Sequence, residues 1–242
     1  MIEICAHRGA SGHAPENTMP AFIAAAQLSA DSIELDVHRS KDGRIVVIHD
    51  ETVNRTSNGR GVVEQMTWQE LRALDFSKPF ATPEYKNVPI PCLEEVLEFL
   101  QGNRLKLNIE LKTDENIYEG IEEEVVRLVE KYGVTHKTYY SSFNHDSIER
   151  LLQCNPTCEA GILYSMHLNK VWNYAVEIGA KAIHPRSGLV NKRLAQECAA
   201  RNLQLRSWTV NEEKAMLEQV ELGVTGLITN YPDIARKVLS RV

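Results

Sequence analysis

Apolar residues along this chain fall into short β-rich runs separated by amphipathic stretches. The runs lie at 2–6, 32–37, 45–49, 105–111, 138–142, 158–163, 181–184, 204–209 and 226–229. Helical spacing fills most of the gaps. In 116–132, for example, Ile121, Val125, Leu128, Val129 and Tyr132 fall on one face. Residues 191–201 and 212–222 read as helices too, and another starts near Leu93. Such alternation implies a parallel sheet with helical crossovers.

Two runs have no helix between them. Asp42-Gly43 separates 32–41 from 44–49, and an Asp-Gly pair between extended runs predicts a two-residue hairpin. In that register Lys41 faces Arg44, Asp36 faces His49 and His38 faces Val47, turned away from the Asp36–His49 level. Setting the return strand aside leaves eight β/α units, which predicts an α/β fold of the (β/α)8 TIM barrel type. The runner-up is an open doubly wound sheet. The rhythm breaks only at 50–91, where Gly, Pro and Asn are frequent. That segment predicts a small insertion after the second barrel strand, with a short helix near 67–74, inside one catalytic domain spanning 1–242.

Composition narrows the classes. The chain has 242 residues, a formal charge of −6, 43% apolar and 25% charged residues, as in soluble globular domains. A domain of this length buries roughly 70% of its unfolded surface and needs no staple. The acidic balance argues against nucleic acid as a partner, because an anionic ligand would need local cations. No apolar run is long enough to span a membrane, and the start MIEICAHRGA lacks the form of a signal peptide. Five cysteines, an odd number with no Cys-x-x-Cys pair, read as free thiols in a cytoplasmic protein.

The chemistry gathers at predicted strand ends. Glu34 and Asp36 share one face of their strand, and side-by-side carboxylates in a barrel interior need a neutralising cation. Glu110, near the end of LNIELK, adds a third acid, with Lys112 two residues on. An all-oxygen set of this kind suits Mg2+, Ca2+ or Mn2+ better than zinc. His7-Arg8-Gly9 follows the first strand, on the rim where barrel enzymes react. His7 and His49 can divide general acid and base work, while Arg8 and Lys112 can bind phosphate oxygens. Asn17, in PENT, serves as either a turn residue or a support for a ligand, and Thr18 can cap the next helix.

The blocks AHRGASGHAPENT, IELDVHRSKDGRIVVIHD, NRTSNGRG, VPIPCLEEVL, LNIELK, SSF, SWTVN and GLITNYPD cover nearly the whole chain. Together they resemble the glycerophosphodiester phosphodiesterase family of phospholipase-C-like barrels. The resemblance implies metal-dependent hydrolysis of a small-molecule glycerophosphodiester, such as glycerophosphocholine or glycerophosphoethanolamine, to glycerol 3-phosphate and an alcohol. Glu34, Asp36 and Glu110 then look like the ligands of one divalent cation, His7 and His49 like the acid–base pair, and Arg8 and Lys112 like phosphate contacts. Trp208 and Phe143 resemble aromatics lining the glycerol end. Two alternatives stay open: a lysophospholipase D using Phe76, Phe80 and Tyr85 as an acyl groove, and a barrel that binds a phospho-ligand without turnover. Oligomeric state is left open by the sequence. Of the other histidines, His13, His38, His136, His145 and His167 read as structural or surface residues. His184 does too, although its place at a strand end leaves a route to the pocket.

Overall fold

A computed structural model describes residues 2–78, 80 and 82–241. Its parallel strands are β1 (Glu3–Ala6), β2 (Ser32–Arg39), β4 (Lys106–Leu111), β5 (Thr138–Ser142), β6 (Glu159–Tyr164), β7 (Ala182–Pro185), β8 (Gln204–Ser207) and β9 (Gly226–Thr229). Neighbours pair in the order β1-β9-β8-β7-β6-β5-β4-β2. Pairing of Cys5 with Ser32 joins β1 to β2 and closes the barrel. The short β3 (Ile45–Val47) runs antiparallel to the end of β2. The fold is therefore the (β/α)8 barrel that the alternation predicts.

Helices α1 (Met19–Gln27), α3 (Leu93–Gln101), α4 (Ile121–Lys131), α5 (His145–Cys154), α6 (Val171–Glu177), α7 (Lys192–Ala199), α8 (Glu213–Leu222) and α9 (Pro232–Leu239) follow successive barrel strands. Their apolar faces meet the outward side chains of the strands. Phe22, Leu97 and Val125 are fully buried in one cluster with Ile33, Leu35 and Ile109. α4 starts later than the apolar pattern predicts, because Gly120 breaks the chain at φ +74° just before it. Thr18 sits at the head of α1 but its hydroxyl turns back to the Pro15 carbonyl, so it makes no cap bond.

Inward positions alternate with outward ones. The bottom of the barrel is polar. Glu3 accepts from Ser32 Oγ at 2.7 Å and Tyr139 Oη at 2.8 Å. The Arg206 guanidinium lies 4.3 Å from the Tyr139 ring centroid and pairs with Glu3 and Glu159. Two residues further along each strand come Glu34, Asn108, Ser141 and His184, and beyond them the rim.

The hairpin corrects the predicted register. Ser40 N donates to Arg44 O at 2.9 Å, and Gly43 N donates to Ser40 O at 3.0 Å. The loop thus has three residues, Lys41, Asp42 and Gly43, with Gly43 at φ +87°. Asp42 pins it by accepting from Ser40 Oγ and Trp68 N. His38 therefore faces Val46, not Val47, and Ile48 N, not His49, bonds the Asp36 carbonyl. His38 is also not turned away from the site: it is fully buried and its Nε2 lies 3.1 Å from the His49 carbonyl.

Val46 of β3 forms a second, separate apolar cluster with Ile48, Val53, Val63, Leu71, Phe76 and Ile90 from the segment between β3 and α3. α2 (Trp68–Arg72) lies in this segment, capped reciprocally by Thr67 and Glu70. Of the 50–91 stretch, Pro79 and Ala81 lie outside the described residues.

Candidate active site

Glu34, Asp36 and Glu110 converge. Parallel pairing sets Asp36 directly beside Glu110, and Glu34 lies one inward position lower on β2. One carboxylate oxygen from each lies within 4.8 Å of the other two, and all three residues are buried. Glu34 Oε1 and Asp36 Oδ1 are buried without a hydrogen-bond partner among the described residues. Burial, with Asp36 and Glu110 nearby, holds the Glu34 carboxyl well above the usual range. Burial and Asp36 raise Glu110 as well. Burial would also raise Asp36, but Arg8, His49 and Lys112 outweigh it and carry Asp36 down to about 2.

Cations and amides frame the acids. The Arg8 amide donates to Glu34 Oε2 at 2.7 Å, a contact made with Arg8 at φ +55°. The Arg8 side chain pairs with Glu16 at 2.8 Å and approaches Asp36 at 3.5 Å. Asn17, at φ +56°, donates from Nδ2 to Asp36 Oδ2 at 2.8 Å. It is both the turn residue and the support for Asp36. Lys112 Nζ donates to Glu110 Oε1 at 3.0 Å and lies 3.4 Å from His49 Nε2.

The two histidines have different partners. His7 Nδ1 donates to Asn230 Oδ1 at 2.8 Å, which leaves Nε2 as the acceptor nitrogen. Burial, reinforced by the Arg8 charge, pushes the His7 imidazole down to about 4. His49 Nδ1 instead donates to the Asp50 carboxylate at 2.8 Å. His49 stands beyond the end of β3, where the chain bends, and it enters the site by that bend and not by strand pairing.

Aromatic side chains form one wall. The rings of Phe143 and Trp208 meet edge to face with centroids 5.5 Å apart. Lys112 Nζ lies 5.8 Å from the Phe143 centroid, and Trp208 Nε1 donates to the His184 carbonyl at 2.8 Å. His184 itself stays below the rim, fully buried. His7, Arg8, Glu34, His49, Glu110, Phe143 and Trp208 all line one cavity, joined by Asn108, Leu163 and Ile228. Asp36 and Lys112 flank it. All nine residues singled out in the sequence are thus brought together.

Sequence reasoning missed Asn108, Asn230, Asp50, Glu16 and Arg55. Alternation alone places Asn108 on the Glu110 face, facing Glu34 across the strand pair. For Asn230 the only signal is its place in NYPD after the last strand. Asp50 is simply the neighbour of His49. The Glu16–Arg55 contact joins residues 39 positions apart and leaves no periodic trace.

The chain is similar to known proteins along nearly its whole length. A profile described as "Glycerophosphoryl diester phosphodiesterase family" matches residues 7–234. A Bacillus altitudinis protein named glycerophosphodiester phosphodiesterase is 41% identical over 241 residues, covering 98% of each chain. One of the same name from Caldanaerobacter subterraneus is 38% identical over 230 residues, covering 95% of this chain and 94% of its own. The structure of an Oleispira antarctica phosphodiesterase in complex with the product sn-glycerol-3-phosphate superposes with a TM-score of 0.88. It is 26% identical, and the match covers 98% of this chain and 96% of that one. By the span of the profile and the identity of these relatives, the chain belongs to the glycerophosphoryl diester phosphodiesterase family.

Proposed function

We propose that the protein hydrolyses glycerophosphodiesters, such as glycerophosphocholine or glycerophosphoethanolamine, to glycerol 3-phosphate and an alcohol, with a divalent cation held by Glu34, Asp36 and Glu110. One observation carries the reading: Glu34, Asp36 and Glu110 each bring a carboxylate oxygen within 4.8 Å of the other two, beside the cavity lined by His7 and His49, and Glu34 Oε1 and Asp36 Oδ1 are buried with no partner among the described residues. Three carboxylates packed this closely in a buried site are costly, and a divalent cation would offset both their repulsion and their lost hydration. The donor set is all carboxylate, which fits Mg2+ or Ca2+, with Mn2+ the softer candidate. When bound, such an ion polarises a phosphoryl oxygen and offsets charge that develops on it.

The chain's own residues supply the remaining steps. Arg8 and Lys112 hold the phosphate oxygens. Phe143 and Trp208 give the glycerol carbons an apolar wall. His7, neutral with Nε2 free, takes the proton of the attacking group, either water or the neighbouring glycerol hydroxyl, whose cyclic phosphate water would then open to glycerol 3-phosphate. The P–O bond to the head-group alcohol breaks as the new P–O bond forms. His49, whose Nδ1–H rests on a carboxylate, delivers a proton from Nε2 to the leaving alkoxide. Asn230 offers His7 no negative charge, whereas Asp50 would compensate charge on the His49 ring, and this difference supports the division of roles proposed.

Phe76 is buried in the core of the insertion with Leu71 and Ile90 and is not free to line an acyl groove, which favours the diester without an acyl chain. The test is release of glycerol 3-phosphate from glycerophosphocholine by EDTA-stripped protein, with Mg2+, Ca2+ or Mn2+ added back. Release restored by metal supports the reading. No release with any ion from this diester or from glycerophosphoethanolamine rejects it, and binding without turnover points to the non-catalytic alternative.

A further inference from the structure

The structure assigns Arg55 a positioning role: its guanidinium clamps the two carboxylates that hold His49 and Arg8, so that one residue of the insertion sets two side chains for the reaction. The inference rests on the preceding reading of the site. Arg55 Nε and Nη2 donate to Asp50 Oδ2 and Oδ1 at 2.7 and 2.8 Å. Arg55 Nη1 and Nη2 donate to Glu16 Oε2 and Oε1, each at 2.8 Å. Both carboxylates are thus gripped through both oxygens. Each also holds a second group. Asp50 Oδ1 accepts from His49 Nδ1, and Glu16 Oε1 accepts from Arg8 Nη1, both at 2.8 Å. The result is a hydrogen-bonded chain running His49, Asp50, Arg55, Glu16, Arg8.

Stability does not explain this arrangement. The Arg55 side chain is 46% exposed, and exposed ion pairs contribute little to folding. Geometry does explain it. Only a planar guanidinium can meet one carboxylate along each of two edges, and lysine has no such fork. Without Arg55, Asp50 and Glu16 lose the cation they share. Asp50 could then turn from the His49 ring, and Glu16 would hold Arg8 alone. A small misplacement of a reacting group can cost about 100-fold in rate.

The test compares Arg55→Met, Arg55→Lys and Asp50→Asn with Arg72→Met, in metal-loaded full-length protein. Arg72 makes a similar bidentate grip on Glu95 in the same insertion but touches no site residue. Arg55→Met should lower kcat for glycerophosphocholine by roughly 10- to 100-fold and raise KM a few-fold. Arg55→Lys should recover only part of either, and Arg72→Met should keep both. Adding Asp50→Asn to Arg55→Met should cost little more than the worse single change, because both act through His49. Imidazole 15N and 1H spectra supply a readout independent of turnover: the His49 Nδ1 proton should be seen in the parent protein and in Arg72→Met and lost in Arg55→Met. A kcat within twofold of the parent, additive losses in the double variant, or a retained Nδ1 proton would each overturn the clamp. If the parent protein does not cleave the diesters, the function reading fails while the ring resonance still decides the clamp. Arg55→Lys gives the same spectrum to read where Arg55→Met does not fold.

Discussion

His7 Nδ1 donates to the side-chain oxygen of Asn230, 2.8 Å away and 223 residues along the chain. The last barrel strand thereby orients a residue that follows the first, across the seam where β9 pairs with β1. An amide partner fixes the tautomer without adding charge. The imidazole, brought down to about 4 by burial and Arg8, is protonated only in acid, so the base form is present at neutral pH and is lost as pH falls through that value. Asn230→Asp places a carboxylate on Nδ1 and should raise the histidine by about one unit or more. The acid limb of kcat/KM should move to higher pH by that amount. A pH–rate profile identical to that of the parent would mean that His7 is not the base.

Removal of either imidazole tests the division of labour. His7→Ala and His49→Ala should each lower kcat by about 100-fold or more at neutral pH. A substrate with a more acidic leaving alcohol, such as a p-nitrophenyl diester, should partly rescue His49→Ala and leave His7→Ala slow, because only the first has lost the proton for the leaving group. Equal rescue of both would reverse the assignment. Thermal unfolding of each variant checks that the loss is chemical.

The carboxylate cluster links metal, pH and stability. Glu34 and Glu110 are raised in the folded chain, so without metal the native state favours their protonated forms. That stabilisation is present below the unfolded carboxyl pKa and fades as pH rises through the folded values. Divalent ions compete with those protons and should bind more tightly as pH rises. At a metal concentration 100 times Kd the gain is about 2.7 kcal/mol, roughly 5–10 °C in Tm for a domain of this size. The metal-induced shift should be larger at pH 8 than at pH 5.5. Glu34→Gln should abolish most of the shift and raise the Tm of the metal-free protein. Scanning calorimetry with EDTA and with added Mg2+ or Ca2+ measures both.

Below the site, Arg206 holds the polar bottom of the barrel. It is buried between Glu3 and Glu159 and lies over Tyr139. Arg206→Met leaves the largely buried Glu3 with only the exposed Lys106, 3.8 Å away, as a counter-charge, and loss of a buried partner of this kind costs about 3–5 kcal/mol. Tm should fall by roughly 10 °C, while kcat of the folded fraction at 20 °C stays near that of the parent. A similar fall in kcat with no fall in Tm would mean that this layer reaches the reaction after all.

The alternation of runs made the barrel legible, because each strand and its helix carry a local period. The same two-residue period put Glu34 beside Asp36 and Lys112 beside Glu110 on shared faces. His49 was also identified, but by an incorrect route. A two-residue turn would have paired it with Asp36, whereas the actual loop pairs Ile48 there and delivers His49 by a bend. The one-residue difference is a choice between two backbone conformations at Gly43, and nothing in the flanking pattern reports it. Contacts such as His7–Asn230 and Glu16–Arg55 depend on which rim loops meet, a property of the closed barrel and not of any single window of sequence.

That choice at Gly43 can itself be measured. Gly43 adopts φ +87°, and a Cβ built there would meet no atom within 4 Å. Steric clash is therefore absent, and any cost of a side chain is that of the left-handed backbone alone, about 1–2 kcal/mol for alanine. Asparagine tolerates this region better and should cost less. Gly43→Ala should lower Tm by about 2–8 °C and Gly43→Asn by a smaller amount, with kcat unchanged in both. If the hairpin instead had the two-residue turn, both central residues of the type I′ form, Asp42 as well as Gly43, would need positive φ. Asp42→Ala would then carry a comparable backbone cost. In the three-residue loop only Gly43 among these residues has positive φ, so Asp42→Ala loses just its bonds to Ser40 and to the Trp68 amide. Asp42→Gly separates the two turns: in the three-residue loop it should be no more stable than Asp42→Ala, whereas a higher Tm than Asp42→Ala would argue for the shorter turn.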